Sequence, residues 1–326
     1  MTLKRGNSKI AAMVDTEPFH PRIICPVNTV FEIYKHIIPD FSLFQESLTK
    51  PFPVHLRMNR LLAEPSKVVS ALRKKGIVIT RVCREHDTLY FAEDLPYPGN
   101  LLEYFLGHIH PQATTSALAA MALKPRKHAL ILDMCAAPGG KSAHLADLME
   151  NTGFMVCNDL YANRQVSLGH TLSRLGVQNS VVTGYQAQEF PLRQPFDYIL
   201  ADVPCSCEGR FRKTSEITQY RENRRKAQLP DIQKKIILRG FDLLKNDGEM
   251  LYATCTYNPA ENESVVNFLL NERDADLLPI HLGIVFEPGL TEWNNEKYDK
   301  RLTRTARFYP HHVNSVGFFM ARIGRK

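Results

Sequence analysis

Asp133-Met134-Cys135-Ala136-Ala137-Pro138-Gly139-Gly140-Lys141-Ser142 is the stretch on which the fold turns. An aliphatic run at 129–134 predicts a strand, and the apolar spacing over 141–150 predicts a helix, so the two glycines fall in the turn between them. Small residues there let the backbone approach a ligand, and the helix N-terminus offers free N–H donors. A triphosphate-binding loop would need a glycine five residues before Gly140, where this chain has Cys135, and no GxGxxG dinucleotide fingerprint is present.

Outward from this turn the pattern repeats. Helices are expected at 113–122, 162–175, 228–244 and 260–270, and strands at 154–158, 181–183, 198–202 and 249–253. Strands separated by helices imply an α/β fold with a mostly parallel, Rossmann-like sheet covered on both faces. Ligands in such sheets sit beyond the carboxyl ends of the strands, and Cys135, Asp159, Asp202 and Cys255 all fall at that edge. A smaller α/β pattern precedes it: helical spacing over 28–38, a strand over 53–62 with basic residues on one side, a helix opened by Pro65-Ser66 and stopped at Gly76, a strand at 77–80 and an extended segment at 87–92. Pro96, Pro98 and Gly99 mark a hinge, which gives an N-terminal domain of residues 1–100 and a catalytic domain of residues 101–326.

The 326 residues are 44% hydrophobic, enough for a sizeable core. No run approaches the roughly 18 apolar residues of a membrane span, and the first residues lack an apolar signal core, so a cytoplasmic protein without membrane contact is expected. A formal charge of +7 makes a polyanion a plausible partner. Arg210, Arg212, Lys213, Arg221, Arg224, Arg225 and Lys226 form one basic cluster, and Lys297, Lys300, Arg301, Arg304 and Arg307, interleaved with Tyr298, Phe308 and Tyr309, form another. Both suit phosphates, and both are equally compatible with solvated faces. Seven cysteines without a CxxC pair do not read as a disulfide framework or a zinc site, so the thiols are expected to be reduced and no metal is expected.

Asp159 closes the strand after the glycine turn, where a carboxylate can accept hydrogen bonds from ribose hydroxyls; the alternative is a helix N-cap for the segment starting near Ala162. A nucleoside site with a ribose acid and no phosphate loop fits S-adenosyl-L-methionine. Two further strands end in thiols, in Ala201-Asp202-Val203-Pro204-Cys205-Ser206-Cys207 and in Tyr252-Ala253-Thr254-Cys255-Thr256-Tyr257. Beside a methyl donor, a thiolate has a specific use. Its addition to C6 of cytosine makes C5 nucleophilic, an acid such as Asp202 assists at N3, and a second group is then useful to break the C6–S bond. That chemistry accounts for Cys205, Cys255 and Asp202 without deciding which thiol attacks.

In order and spacing, the motifs DMCAAPGGKS, DVPCS and ATCTYNPAEN resemble those of the Sun/Fmu (NOP2-type) family of S-adenosyl-methionine-dependent RNA cytosine-5 methyltransferases. The similarity runs from Arg57-Met58-Asn59 through Gln112-Ala113-Thr114-Thr115-Ser116 to Pro310 and Gly317-Phe318-Phe319. It implies a seven-stranded methyltransferase sheet and an N-terminal RNA-recognition domain. Cys255 becomes the nucleophile and Cys205 the promoter of product release. Cys135, Ala136, Ala137, Pro138, Gly139, Gly140, Lys141, Asp159, Gln186 and Asp202 become the cofactor wall. The implied partner is RNA, ribosomal before transfer RNA, met free or within a ribosomal subunit by a monomeric enzyme. Two positions depart from the family: Gln186 stands where an aspartate usually holds the adenine amino group, and Cys207 where glycine usually follows Pro-Cys-Ser. The chain also ends soon after Phe319, short of the extra C-terminal RNA-binding domain of some relatives. A non-catalytic RNA-binding factor would be the alternative use of the same fold, supported by Gln186 alone. An amino-group methyltransferase would instead need Asn/Asp-Pro-Pro-Tyr after the fourth strand, where this chain has Asp202-Val203-Pro204-Cys205.

Overall fold

The computed structural model describes residues 31–211 and 228–326. In chain order, α1 (Phe41–Ser47), β1 (Val54–Met58), α2 (Pro65–Lys74), β2 (Ile79–Arg81), β3 (Leu89–Ala92), α3 (Leu102–Phe105) and β4 (Ile109–Pro111) build the smaller part. Its four strands pair antiparallel in the order β2-β3-β1-β4. Leu56 and Met58 of β1 meet Val68, Val69 and Leu72, which recur at three- and four-residue spacing on one face of α2. The last strand lies beyond residue 100, where the sequence put the boundary.

The helical spacing over 28–38 is not realised within the described residues. Only a 3-10 turn, Glu32–Tyr34, forms, because Phe31 (φ 68°) and Asp40 (φ 47°) both take the left-handed conformation. Phe31, Tyr34 and Phe44 instead bury against Tyr257 and Tyr309 of the larger part.

That larger part continues with α4 (Thr114–Leu123), β5 (Leu130–Asp133), α5 (Gly140–Leu148), β6 (Phe154–Asn158), α6 (Ala162–Arg174), β7 (Ser180–Thr183), β8 (Phe196–Asp202), α7 (Leu229–Asp242), β9 (Leu244–Thr254), α8 (Glu263–Glu272) and β10 (Ala275–Leu278). Then come β11 (Glu287–Pro288), the hairpin of β12 (Glu292–Trp293) and β13 (Glu296–Lys297), β14 (Ala306–Phe308), α9 (Pro310–Val313) and β15 (Phe318–Arg325). The parallel strands run β7-β6-β5-β8-β9, and antiparallel β15 lies beside β9. One half of β15 pairs with β10, which completes the seven strands expected; its other half pairs with β14, and β11 adds to β14, so the sheet has nine.

Period-two alternation explains why the strands are apolar on both sides. Ile131, Leu200, Leu251 and Ala253 enter the core under α4, α5 and α6, while Leu132, Ile199, Ala201, Met250 and Tyr252 enter the one under α7 and α8. The order reverses at β5, flanked by β6 and β8, and sheets of this kind form their ligand crevice beyond the carboxyl edge at such a switch.

Candidate active site

The glycine turn packs against α6. Gly139 has φ 105°, and a Cβ there would stand 3.1 Å from Leu168 and Thr171 of α6, so only glycine lets the turn lie against that helix. Asp133, at the end of β5, is buried; its Oδ2 accepts a 2.7 Å bond from Ser142 Oγ, and its Oδ1 has no hydrogen-bond partner among the described residues. Burial, with the Asp202 carboxylate adding to it against the Ser142 bond, pushes the Asp133 carboxyl up to about 7.

Asp159 is buried at the end of β6. Its Oδ2 accepts from the Ala137 backbone N–H (3.1 Å) and pairs with Arg164 (3.1 Å), so the acid is tied to the glycine turn itself. It is not a helix cap: α6 starts after Tyr161, without a side-chain cap. Gln186 is exposed after β7, and its Oε1 accepts from Gln188 Nε2 at 2.7 Å. Lys141, expected in the cofactor wall, reaches across to Asp202, with Nζ 2.7 Å from Oδ2 and 5.4 Å from the centre of the Phe318 ring. It thereby positions a carboxylate at the end of β8.

Cys135, Asp159, Gln186 and Asp202 thus stand at or just beyond the ends of β5, β6, β7 and β8. Asp159 and Asp202 stand here already paired with Arg164 and Lys141, so the turn carries no surplus positive charge for a polyphosphate but does offer carboxylate acceptors for ribose hydroxyls. The backbone groups of residues 135–140 and the acceptors Asp159 and Gln186 are of the kinds that the polar groups of S-adenosyl-methionine need. Burial and then the Asp133, Asp202 and Asp159 carboxylates push the Cys135 thiol well up.

The two expected thiols meet. Asp202 and Ala253 are partners in the β8–β9 register, so the loops beyond them start side by side. Cys205 Sγ lies 3.4 Å from Cys255 Sγ and accepts a 3.3 Å bond from the Cys255 backbone N–H. The hydrogen bond with Cys205 pulls the Cys255 thiol down, but Cys207, burial and the Asp202 charge outweigh it and push the thiol up to about 12. Cys205 is pushed up too, by its bonds with Cys207 and Cys255 and then by burial.

Sequence reasoning missed the residues that hold these loops. Glu261 Oε2 accepts from the Ser206 N–H (2.9 Å) and from Gln233 Nε2 (3.0 Å), while Gln233 also donates to Pro204 O (2.8 Å). Glu208 Oε2 accepts from Thr256 Oγ1 (2.8 Å) and Tyr34 OH (3.0 Å). Asn262 Nδ2 donates to Thr256 O at 3.0 Å. Buried Glu263 pairs with buried Arg307 through two 2.6 Å contacts. The one available signal was the acidic Asn258-Pro259-Ala260-Glu261-Asn262-Glu263 run directly after a strand end.

The second basic cluster is corrected. Arg307 is internal, Arg301 pairs with Asp299 and Asp276, Arg304 pairs with Asp276, and Tyr298, Phe308 and Tyr309 are buried. Lys297, Lys300 and Arg304 remain exposed. Of the first cluster Arg210 is exposed, and Arg212, Lys213, Arg221, Arg224, Arg225 and Lys226 lie outside the described residues.

Residues 120–324 match the family model described as 16S rRNA methyltransferase RsmB/F. The chain is 35% identical over 286 residues to a human protein named 28S rRNA (cytosine(4447)-C(5))-methyltransferase, an alignment that covers 86% of this chain and 35% of that protein. It is 32% identical over 300 residues to the tRNA (cytosine(49)-C(5))-methyltransferase of Pyrococcus abyssi, covering 90% of this chain and 96% of that one. The chain therefore spans about a third of the length of the human relative and nearly all of the archaeal one. Among solved structures, a methyltransferase homolog from Pyrococcus horikoshii superposes with a TM-score of 0.78 at 30% identity, covering 87% of this chain and 90% of that one.

Proposed function

The chain belongs to the RsmB/F family, and from that premise we propose that it transfers a methyl group from S-adenosyl-methionine to C5 of cytosine in structured RNA. Carrying this reading is the 3.4 Å approach of Cys205 and Cys255 at the ends of neighbouring strands, in a crevice that also holds Asp202. An amino-group methyltransferase has no use for two thiols in contact.

In the proposed mechanism Cys255 Sγ adds to C6 of the cytosine as its proton passes to the Asp202 carboxylate. Asp202, oriented by Lys141, faces the ring and hands that proton to N3, so the electron pair arriving at C6 is delocalised toward C5. S-adenosyl-methionine, when bound, supplies the electrophilic methyl group that this C5 accepts. Loss of the C5 proton to water then expels the Cys255 thiolate from C6, and the N3 proton returns through Asp202 to that sulfur, which restores the neutral aromatic ring. Cys205, in hydrogen-bond contact with Cys255, assists that departure by donating to the leaving sulfur. The base must leave its stack to reach half-buried thiols, which suits a loop, a bulge or a remodelled helix.

Ribosomal RNA is the favoured substrate, supported by the name of the human relative at 35% identity, with transfer RNA the competing class. The four-stranded N-terminal sheet serves as the RNA-recognition part, and the enzyme acts in the cytoplasm as a monomer, on free RNA or on a ribosomal subunit.

The test incubates wild type, Cys205→Ala and Cys255→Ala with cellular RNA or immature subunits lacking the modification and with labelled S-adenosyl-methionine. Label on cytosine is expected with wild type, an RNA-dependent protein shift on a denaturing gel with Cys205→Ala, and neither with Cys255→Ala. Absence of label and adduct on every RNA, together with retained RNA binding, would replace this reading by that of a non-catalytic RNA-binding factor.

A further inference from the structure

Cys207 is not used by the mechanism above, yet it lies at the centre of the chemistry. Its Sγ stands 4.0 Å from Cys205 Sγ, and all three sulfurs of Cys205, Cys207 and Cys255 lie within 4.8 Å of one another. We propose that these three side chains form a binding site for a soft divalent cation, for which zinc is the probe, and that the filled site shuts off both catalytic thiols.

Three observations converge on this site. The first is spacing: zinc–sulfur bonds of about 2.3 Å at tetrahedral angles put sulfurs roughly 3.8 Å apart. The 3.4 and 4.0 Å separations lie within a few tenths of an ångström of that value, and the third needs a contraction of at most about 1 Å.

The second is backbone strain. Cys207 has φ 59°, in the left-handed region that glycine enters freely and a side chain with a Cβ enters at a cost of roughly 1–2 kcal/mol. A thiol kept at such a position, against the glycine its family resemblance would supply, marks a side chain with a use.

The third is access and support. Cys207 is exposed, so an ion can reach the cluster from solvent, and the Cys255 N–H already points at Cys205 Sγ, as backbone donors do around metal-bound sulfur. On binding, three S–H protons leave to solvent as three metal–sulfur bonds form, with no change of oxidation state, and a water completes the tetrahedron. Binding therefore strengthens as pH rises. The thiols that would attack C6 and release the product are then both held on the metal. Metal binding stands on its own; only its inhibitory consequence rests on the methyltransferase reading.

Cobalt(II) reports thiolate ligation by its sulfur-to-metal charge-transfer absorption. Titration of the full chain, kept reduced with a phosphine so that no disulfide forms, is expected to give that band with saturation at one equivalent and its loss on adding zinc. Cys207→Gly removes the thiol while relieving the backbone, so it folds. Loss of a ligand exceeds the roughly 10–100-fold cost of losing an outer hydrogen-bond partner, so this variant should bind at least about a hundredfold more weakly. Methyl transfer by wild type should fall with zinc and recover with a chelator, and Cys207→Gly should need at least about tenfold more zinc for the same loss. No band in wild type, or an undiminished band in Cys207→Gly, overturns the site. A normal band without inhibition of active enzyme overturns the shut-off. If no RNA is ever methylated, the cobalt titration still decides the site while the enzymatic reading fails separately.

Discussion

Gln186 carries an amide where the resemblance would put a carboxylate, and that single difference has a physical consequence for cofactor affinity. Its Oε1 accepts from Gln188 at 2.7 Å, so an adenine amino group bound there, as proposed, would share a neutral acceptor. A carboxylate would offer charge-assisted hydrogen bonds of about twice the strength and free lone pairs for both donors. Gln186→Asp is therefore expected to bind S-adenosyl-methionine about three- to tenfold more tightly, a gain of roughly 1 kcal/mol, and Gln186→Ala more weakly. Calorimetric titration reads both; an Asp variant that binds no better would remove residue 186 from the adenine end of the crevice. At this scale the sequence was informative where chemistry is local. Cys205, Cys255 and Asp202 could be placed because each ends a strand, whereas the Lys141–Asp202 contact joins residues 61 positions apart and only the folded crevice shows it.

Among the elements, the two loops beyond β8 and β9 are held as one piece by buried acids. The Glu261 carboxylate satisfies the Ser206 N–H and the Gln233 amide, and leaving such buried donors unpaired costs about 1–3 kcal/mol. Glu261 touches neither thiol in these bonds, so its removal should disturb where Cys205 sits rather than how the cofactor binds. Glu261→Ala is expected to lower single-turnover methyl transfer roughly 10- to 100-fold with S-adenosyl-methionine affinity changed less than about twofold, and Glu261→Gln, which keeps one acceptor oxygen, to recover part of the rate. A lowered melting temperature with an unchanged rate would reduce Glu261 to a fold-stabilising residue. The parallel strands were legible because two-sided burial demands unbroken aliphatic runs, as in Leu130–Asp133 and Phe196–Asp202. The start of α8 was not, because the Asn258 side chain accepts from the Ala260 N–H (3.0 Å) and holds a turn where apolar spacing alone continued the helix. The segment before α1 misled for a related reason: its apolar residues are spaced for a helix, but Tyr34 is buried with Phe31 against Tyr257, more than 200 residues away.

Across the whole molecule, the small sheet is joined to the methyltransferase sheet through groups that read as surface residues in sequence. Arg57 of β1 is fully buried; it donates to Gln112 Oε1 (3.0 Å) and lies 3.4 Å from Asp147 of α5. Asn59 Nδ2 donates to both Gly107 O (2.8 Å) and Leu175 O (2.9 Å). Two histidines share this seam: His55, beside the Thr114 N–H and Ser315 Oγ, and His110, beside Arg57 and Arg174. Burial holds His55 down to about 4, and burial with the charges of Arg57 and Arg174 holds His110 down to about 3. Unfolded, both take up a proton near their ordinary value of 6.5. Their contribution to stability is therefore complete above pH 6.5 and is lost as pH falls toward 4 and 3. Within that window each histidine costs about 1.4 kcal/mol per pH unit. Asp133 acts in the opposite sense: held up to about 7 from 3.8, it favours the folded state as pH falls through the same range. Wild type alone thus gives a mixed slope, and a His55→Gln, His110→Gln double variant isolates the histidines. Urea unfolding at pH 7.5, 6 and 5 should show wild type losing about 2–3 kcal/mol more than the variant between pH 6 and 5, even though the variant starts lower at pH 7.5. Equal slopes for the two proteins would mean that the seam opens before it is protonated and that the two sheets do not unfold as one unit.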